Sequence, residues 1–131
     1  IVRTGGTRKG AYFTPTVLTG VHSAMEVMTQ EVFGPVLPVI TADTVEEAIT
    51  LANATRFGLG ASVWSRDLEK GEQVARQLAA GATFVNSITK SDPRMPFGGI
   101  RESGLGRELS YWGVREFANI KTINVYGGEE V

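Results

Sequence analysis

Three short apolar runs alternate with two helical patterns between residues 36 and 86, and this alternation limits the fold more than any other feature. The runs lie at 36–41, 59–65 and 82–86, and the helical patterns lie at 43–55 and 66–80. Strands separated by helices in this way form parallel sheets with right-handed crossovers. The sequence therefore predicts an α/β fold that contains a βαβαβ parallel-sheet unit with buried strands.

Both predicted helices carry recognisable signals at their ends. Thr44 and Glu47 have the spacing of a capping box, in which a hydroxyl and a carboxylate satisfy free backbone N–H groups at a helix start. Asp67 falls in the first turn of the second helix, where the helix dipole favours negative charge. Gly81 follows that helix, and we expect it to end the helix in the left-handed conformation.

The C-terminal third of the chain begins with a long loop. Residues 87–107 contain two prolines and four glycines and show no helical or strand period. A loop of this length in a compact domain is usually functional or disordered. A helix is predicted at 108–117 and a strand at 119–126, followed by a polar tail.

Composition excludes several classes of function. The chain has no cysteine, so it can contain neither a disulfide, nor a thiolate metal site, nor a cysteine nucleophile. Its formal net charge is −1, which gives no electrostatic footprint for nucleic acid or an anionic membrane. No apolar run reaches the length of a membrane span, and no metal-ligand cluster is visible. We therefore expect no nucleic acid, membrane or metal partner, and a cytoplasmic location by default.

Five motifs, taken in order, resemble the aldehyde dehydrogenase family. The match includes the Glu-x-Phe-Gly-Pro block and a Pro-Phe-Gly-Gly loop, and it covers about residues 3–126. The motifs are QEVFGPVLPV at 30–39, ANATRFGLGASVWSRD at 52–67, AGATFVN at 80–86, PFGGIRESGLGRE at 96–108 and REFANIKTINV at 115–125. Because the order is preserved along the chain, chance is a poor explanation for the resemblance.

The resemblance implies that this chain is the C-terminal part of an NAD- or NADP-dependent aldehyde dehydrogenase. Residues 1–117 would belong to the catalytic domain, and residues 118–131 would form an oligomerisation strand and tail that joins a homo-oligomer through residues 119–126. The family's nucleophilic cysteine lies upstream of the Glu-x-Phe-Gly-Pro block, so no catalytic residue falls in this chain. The stretch SDPRMPFGGIRESGLGRELS is most similar to bacterial succinate-semialdehyde dehydrogenases.

Two residues of the first motif are candidates for cofactor binding. In the resembling family, Glu31 would accept hydrogen bonds from the two hydroxyls of the nicotinamide ribose, and Phe33 would pack against the nicotinamide. A carboxylate is suited to this role because it can accept both hydroxyls and fix the ring for hydride transfer. The alternatives are a solvated glutamate before a turn and an aromatic residue of the core.

Two residues of the long loop are candidates for binding the aldehyde. Ser91 stands six residues before Phe97, and the resemblance places a serine there in contact with the carboxylate of succinic semialdehyde. Lys90 and Arg94 would raise the local positive potential around such a substrate. Phe97 would line the aldehyde tunnel. The alternatives are a turn at Ser91 and an anchoring role for Phe97.

The parent enzyme would oxidise an aldehyde to a carboxylic acid by thiolate attack followed by hydride transfer. Two other classes of function remain open at this point. The chain is also compatible with a stand-alone ligand-binding module, or with a self-association module that has no catalytic function.

Overall fold

The structure, a computed structural model, describes residues 1–127 and combines four short helices with three small sheets. A single 3₁₀ turn covers Arg101–Ser103. The strands are β1 (Val2–Thr4), β2 (Arg8–Lys9), β3 (Tyr12–Phe13), β4 (Thr16–Leu18), β5 (Val36–Pro38), β6 (Gly60–Val63) and β7 (Ala82–Val85). The helices are α1 (Glu26–Thr29), α2 (Val45–Asn53), α3 (Leu68–Ala75) and α4 (Ser110–Glu116).

The α/β class is confirmed, and the strands pair in a pattern that the sequence did not predict. β5 pairs in parallel with β4, and β4 pairs antiparallel with β1. β6 and β7 form a separate parallel pair, and β2 and β3 form a hairpin. The predicted order of strands and helices is therefore present, but one continuous βαβαβ sheet is not formed among residues 1–127. The prediction paired strands by their order in the chain and did not consider β4 as a partner for β5.

The helix starts follow the predicted capping chemistry. Thr44 Oγ1 accepts the backbone N–H of Glu47 at 3.1 Å, and Glu47 Oε2 accepts the N–H of Asp43 at 2.7 Å, one residue before the cap. Asp67 caps α3 directly, because its Oδ1 accepts the N–H of Lys70 at 3.0 Å. Each such cap stabilises a helix by about 1 kcal/mol.

Gly81 is required for a reason other than the predicted one. α3 ends at Ala75, and Gly81 does not have a positive φ. A Cβ atom at Gly81 would lie 1.8 Å from the carbonyl oxygen of Gly98. The absence of a side chain at Gly81 therefore lets the start of β7 contact the long loop. Gly81 does not end α3.

The described residues contain no buried apolar side chain, so the expected burial of β6 and β7 is wrong for this chain. The accessible surface is 10639 Å², whereas a compact monomer of this mass exposes roughly 6,700 Å². Both strands of the β6–β7 pair are only partly covered, because α3 packs against them with little else over the sheet. Within residues 1–127, no helix has the length and apolar character needed to cross a membrane.

The predicted strand at 119–126 does not form within this chain. Residues 119–127 have no regular secondary structure, and they are exposed to solvent. A strand exists only when another strand supplies its hydrogen-bond partners, and no sheet edge of the described chain pairs with this segment. The end of the predicted tail, residues 128–131, lies outside the described residues.

The contact at Gly81 generates a stability prediction with an internal control. We expect Gly81→Ala to lower the free energy of unfolding by ~1–3 kcal/mol, because the new methyl group forces β7 away from the loop. Gly34→Ala should change it by less than about 0.5 kcal/mol, since nothing lies within 4 Å of a Cβ there. Urea unfolding of both variants measures the difference, and equal stabilities would contradict the close packing at Gly81.

Candidate functional site

A tight turn places Glu31 between α1 and β5. The N–H of Gly34 donates to the carbonyl of Val32 at 2.7 Å, and the N–H of Val36 donates to the carbonyl of Gly34 at 2.8 Å. These two successive three-residue turns reverse the chain directly after Glu31. The carbonyl of Pro35 accepts the N–H of Thr16 at 2.8 Å, which attaches the turn to β4. The position of Glu31 therefore depends on the β4–β5 sheet.

Glu31 lines a cavity of about 490 Å³, which we call the Glu31 cavity. The other walls come from the end of α2, the start of β6, the end of the segment after α3 and the 3₁₀ turn. They are formed by Ala52, Asn53, Thr55, Phe57, Gly58, Leu59, Gly60, Ala61, Leu78, Ala79, Ala80, Glu102 and Ser103. The ion pairs among residues 1–127 join other carboxylates to arginines. The Glu31 carboxylate therefore remains available to a ligand.

The 3₁₀ turn is attached by hydrogen bonds to the end of α2 and to the segment between α2 and β6, which also line the Glu31 cavity. Arg101 Nη1 donates to the carbonyls of Asn53 at 2.9 Å and Thr55 at 2.6 Å, which lie at the end of α2. Ser103 Oγ accepts the N–H of Gly58 at 2.9 Å. Sequence reasoning assigned no role to Ser103 or Arg101, although both fall within the PFGGIRESGLGRE motif. Only the fold shows that both residues build the cavity wall.

Arg56 connects the segment that carries Glu31 to the 3₁₀ turn. Its Nη1 donates to Glu102 Oε2 at 2.7 Å, and its Nη2 donates to Gln30 Oε1 at 2.9 Å. Glu102 belongs to the 3₁₀ turn, and Gln30 directly precedes Glu31. Sequence reasoning missed Arg56, because its two partners lie 26 and 46 residues away in the chain.

Phe33 lies outside both the Glu31 cavity and the core. Its side chain is 99% exposed, and it does not line the Glu31 cavity. The alternative of a core role for Phe33 is therefore wrong for this chain, and its contact with a nicotinamide stays a prediction.

Phe97 lines a second cavity, of about 380 Å³, which we call the Phe97 cavity. The backbone N–H and carbonyl of Phe97 form a bridge with those of Glu108, at 2.9 and 2.8 Å. Leu59 and Ser103 line both this cavity and the Glu31 cavity. The structure therefore places Glu31 and Phe97 on adjoining cavities with a shared wall.

Ser91 is exposed and lies in neither of these cavities. Its neighbour Asp92 binds Arg94 through Nε at 3.0 Å and Nη2 at 2.6 Å, and also accepts the N–H of Arg94 at 2.9 Å. The side-chain hydrogen bonds from Arg94 hold the pKa of Asp92 far below its usual range. Arg94 is therefore paired with Asp92, and the positive potential predicted around Ser91 stays a prediction.

The structure also limits the chemistry that these residues can perform. Residues 1–127 contain no group of three or more histidine or acidic side chains able to hold a metal ion. The chain has no cysteine, and Ser103 is already hydrogen-bonded to the backbone. The Glu31 cavity and the Phe97 cavity therefore offer binding groups, among them the Glu31 carboxylate, which has no ion-pair partner among residues 1–127.

The family comparison identifies the class of protein to which this arrangement belongs. Residues 2–123 match the model of the aldehyde dehydrogenase family. The chain therefore belongs to the aldehyde dehydrogenase family, as its motifs predicted.

Curated relatives and solved structures agree with this classification. The chain is 46% identical over 126 residues to succinate-semialdehyde dehydrogenase (NADP(+)) 1 of Mycobacterium tuberculosis, covering 94% of this chain and 28% of the relative. It is 52% identical over 114 residues to a probable succinate-semialdehyde dehydrogenase (NADP(+)) of Synechocystis, covering 87% of this chain and 25% of the relative. The NAD-dependent aldehyde dehydrogenase of Sinorhizobium meliloti superposes with a TM-score of 0.93 at 43% identity, over 99% of this chain and 27% of that one. The chain thus spans little more than a quarter of the length of its relatives.

The Asp92–Arg94 pair generates a prediction about titration. Because the folded-state pKa of Asp92 is lowered, the pair stabilises the loop above the ordinary carboxyl pKa and loses this effect as the pH falls through the lowered value. We expect Arg94→Ala to raise the pKa of Asp92 toward about 4, as measured by NMR titration of the carboxyl carbon. The control Arg76→Ala should leave it unchanged, since Arg76 pairs with Glu72 on α3. An unchanged pKa in Arg94→Ala would contradict the assignment.

Proposed function

We propose that this chain is the C-terminal part of an NAD- or NADP-dependent aldehyde dehydrogenase that oxidises succinic semialdehyde to the acid. The main support for this proposal is the position of the Glu31 carboxylate. It lines a cavity and has no ion-pair partner among residues 1–127, and the chain belongs to the aldehyde dehydrogenase family. The names of the Mycobacterium and Synechocystis relatives, both succinate-semialdehyde dehydrogenases, support this substrate. In this proposal residues 1–117 complete the catalytic domain and residues 118–131 form an assembly arm.

Surface area supports a role inside a larger protein. The accessible surface exceeds that of a compact monomer of this mass by roughly 3,900 Å². Apolar side chains such as Trp64 and Leu105 are 67% and 100% exposed, although large exposed apolar patches are rare on soluble monomers. The relatives are about four times as long as the matched segment. The remaining length, in our proposal, covers these faces and supplies the nucleophilic cysteine.

The residues of the Glu31 cavity fit the nicotinamide end of the cofactor. A volume of about 490 Å³ lies within the ~300–1,000 Å³ range of small-molecule sites. When bound, the nicotinamide accepts a hydride from the substrate. Glu31 would accept hydrogen bonds from the two ribose hydroxyls, and Phe33 would cover the ring. The names of the curated relatives include NADP, and the solved relatives include an NAD-dependent enzyme. Our proposal therefore includes both NAD and NADP as the cofactor.

The long loop would supply the residues that bind the aldehyde, Phe97 and Ser91. The Phe97 cavity adjoins the Glu31 cavity, which would bring an aldehyde bound beside Phe97 close to a cofactor held by Glu31. Ser91 would donate its hydroxyl proton in a hydrogen bond to the substrate carboxylate, with Lys90 adding positive potential. The exposure of Ser91 leaves its hydroxyl free to do so.

The cofactor role of Glu31 is tested by an isosteric change. In the full-length enzyme, we expect Glu31→Gln to preserve the fold and to slow hydride transfer by roughly 10-fold or more, equivalent to ~1.4 kcal/mol. The cause is the loss of a charged acceptor for the ribose hydroxyls. Single-turnover formation of reduced cofactor measures the rate, and a rate equal to that of the unaltered enzyme would refute the role.

Substrate recognition is tested by Ser91→Ala. A hydrogen bond to a charged group contributes roughly 1.5–3 kcal/mol, so KM for succinic semialdehyde should rise by about 10-fold or more. KM for an uncharged aldehyde of similar length should stay nearly constant, because it offers no carboxylate. Equal changes for both aldehydes would remove Ser91 from carboxylate recognition.

Self-association through residues 119–126 is a second candidate function of the chain. This segment has no strand partner within residues 1–127, and its apolar side chains are exposed, with Ile123 at 75% and Val125 at 83%. An unpaired extended segment can complete the edge of another subunit's sheet. A homo-oligomer built on two-fold axes would use this segment twice.

Sedimentation of the full-length enzyme, with and without residues 118–131, tests this second candidate. We expect the truncated protein to contain fewer subunits per oligomer than the intact one, because residues 119–126 can no longer pair with the sheet of another subunit. Circular dichroism of both proteins checks that the truncation has not unfolded the enzyme. The same subunit number in both would exclude an assembly role for the segment.

A further inference from the structure

The guanidinium of Arg56 is the group that joins the turn before β5 to the 3₁₀ turn. Two different amino groups are used, Nη1 for Glu102 at 2.7 Å and Nη2 for Gln30 at 2.9 Å. The backbone carbonyl of Arg56 also accepts the N–H of Glu102 at 3.2 Å. One residue therefore links two segments that both contribute lining residues to the Glu31 cavity, Glu31 from one and Glu102 from the other.

Gln30 is held at both its backbone and its side chain. Its N–H donates to the carbonyl of Glu26 at 2.8 Å at the end of α1, and its side-chain oxygen accepts from Arg56. Glu31 is the next residue, and consecutive Cα atoms are fixed at about 3.8 Å. A displacement of Gln30 therefore moves the backbone that carries the Glu31 carboxylate.

The planar fork of arginine suits this double contact. The guanidinium lies 4.7 Å above the ring of Phe57, which supports it on one face while both amino groups point to their acceptors. Lysine offers a compact ammonium without a rigid fork, so it does not reproduce two contacts of fixed direction.

From this geometry we propose that Arg56 is a positioning residue, which holds Glu31 at the cavity through the side chain of Gln30. The inference rests on the proposed cofactor role of Glu31 and adds the group that sets its position. We expect Arg56 to affect the position of Glu31 more than the stability of the fold. The Arg56 and Glu102 side chains are 46% and 55% exposed, and exposed ion pairs contribute little to folding. A small misplacement of a binding group, in contrast, can greatly lower a rate.

The test compares five variants in the full-length enzyme: Arg56→Ala, Arg56→Lys, Gln30→Ala, the double variant Arg56→Ala/Gln30→Ala and the control Arg76→Ala. Arg76 forms a more exposed ion pair with Glu72 on α3, and neither residue lines the Glu31 cavity. Two readouts are used: the Kd for NAD and NADP without aldehyde, by fluorescence titration, and single-turnover hydride transfer. Melting temperatures report any loss of fold.

We expect Arg56→Ala and Gln30→Ala each to weaken cofactor binding by roughly 10-fold, with melting temperatures close to that of Arg76→Ala. Arg56→Lys should recover only part of the affinity. The double variant should be no weaker than either single one, because both changes break the same link. Gln30→Ala keeps the Arg56–Glu102 pair, so it tests the link even if Arg56→Ala unfolds.

The possible failures are distinguishable. If Glu31→Gln slows hydride transfer while Arg56→Ala and Gln30→Ala match Arg76→Ala, the positioning role is overturned and the proposed function stands. If Glu31→Gln itself has no effect, the cofactor role fails and this inference fails with it. Additive losses in the double variant would show that Arg56 and Gln30 act separately, which also overturns the proposal.

Discussion

The carbonyl oxygen of Gly58 accepts hydrogen bonds from two distant segments, and the rest of the site depends on this junction. The N–H groups of Gly81 and Ile100 both donate to it at 3.0 Å, and the N–H of Gly58 donates to Ser103. The junction joins the start of β7 and the long loop to the segment before β6. It forms only because Gly58 and Gly81 have no side chains to separate the backbones, since a Cβ at either would overlap a neighbour.

This junction gives a physical reason for the glycine-rich loop. Without it, the 3₁₀ turn would not reach the end of α2, where Arg101 binds two carbonyls. The Glu31 cavity would then lose the wall that contains Glu102 and Ser103. The loop thus forms a structural wall of the cavity, and the Glu31 carboxylate comes from a different segment.

Local patterns in the sequence were sufficient to predict the helices α2 and α3. They were sufficient to predict only some of the residues that line the candidate site. Capping at Thr44 and Asp67 and the apolar period predicted α2 and α3, because these signals act within one helical turn. Strand pairing, the reason for Gly81 and the state of residues 119–126 were missed, because each depends on contacts between segments far apart in the chain. Motif order pointed to Glu31 and Phe97, whereas the link through Arg56 spans 26 and 46 residues and has no local signature.

We propose that this chain contributes binding groups to an aldehyde dehydrogenase and cannot carry out the chemistry alone. The direct measurement is the formation of NADH or NADPH from succinic semialdehyde by the purified 131-residue chain, with the full-length enzyme as a positive control. We predict turnover by the full-length enzyme and none by the chain above the protein-free background, because no cysteine is present. Turnover by the purified chain, free of other protein, would contradict the claim.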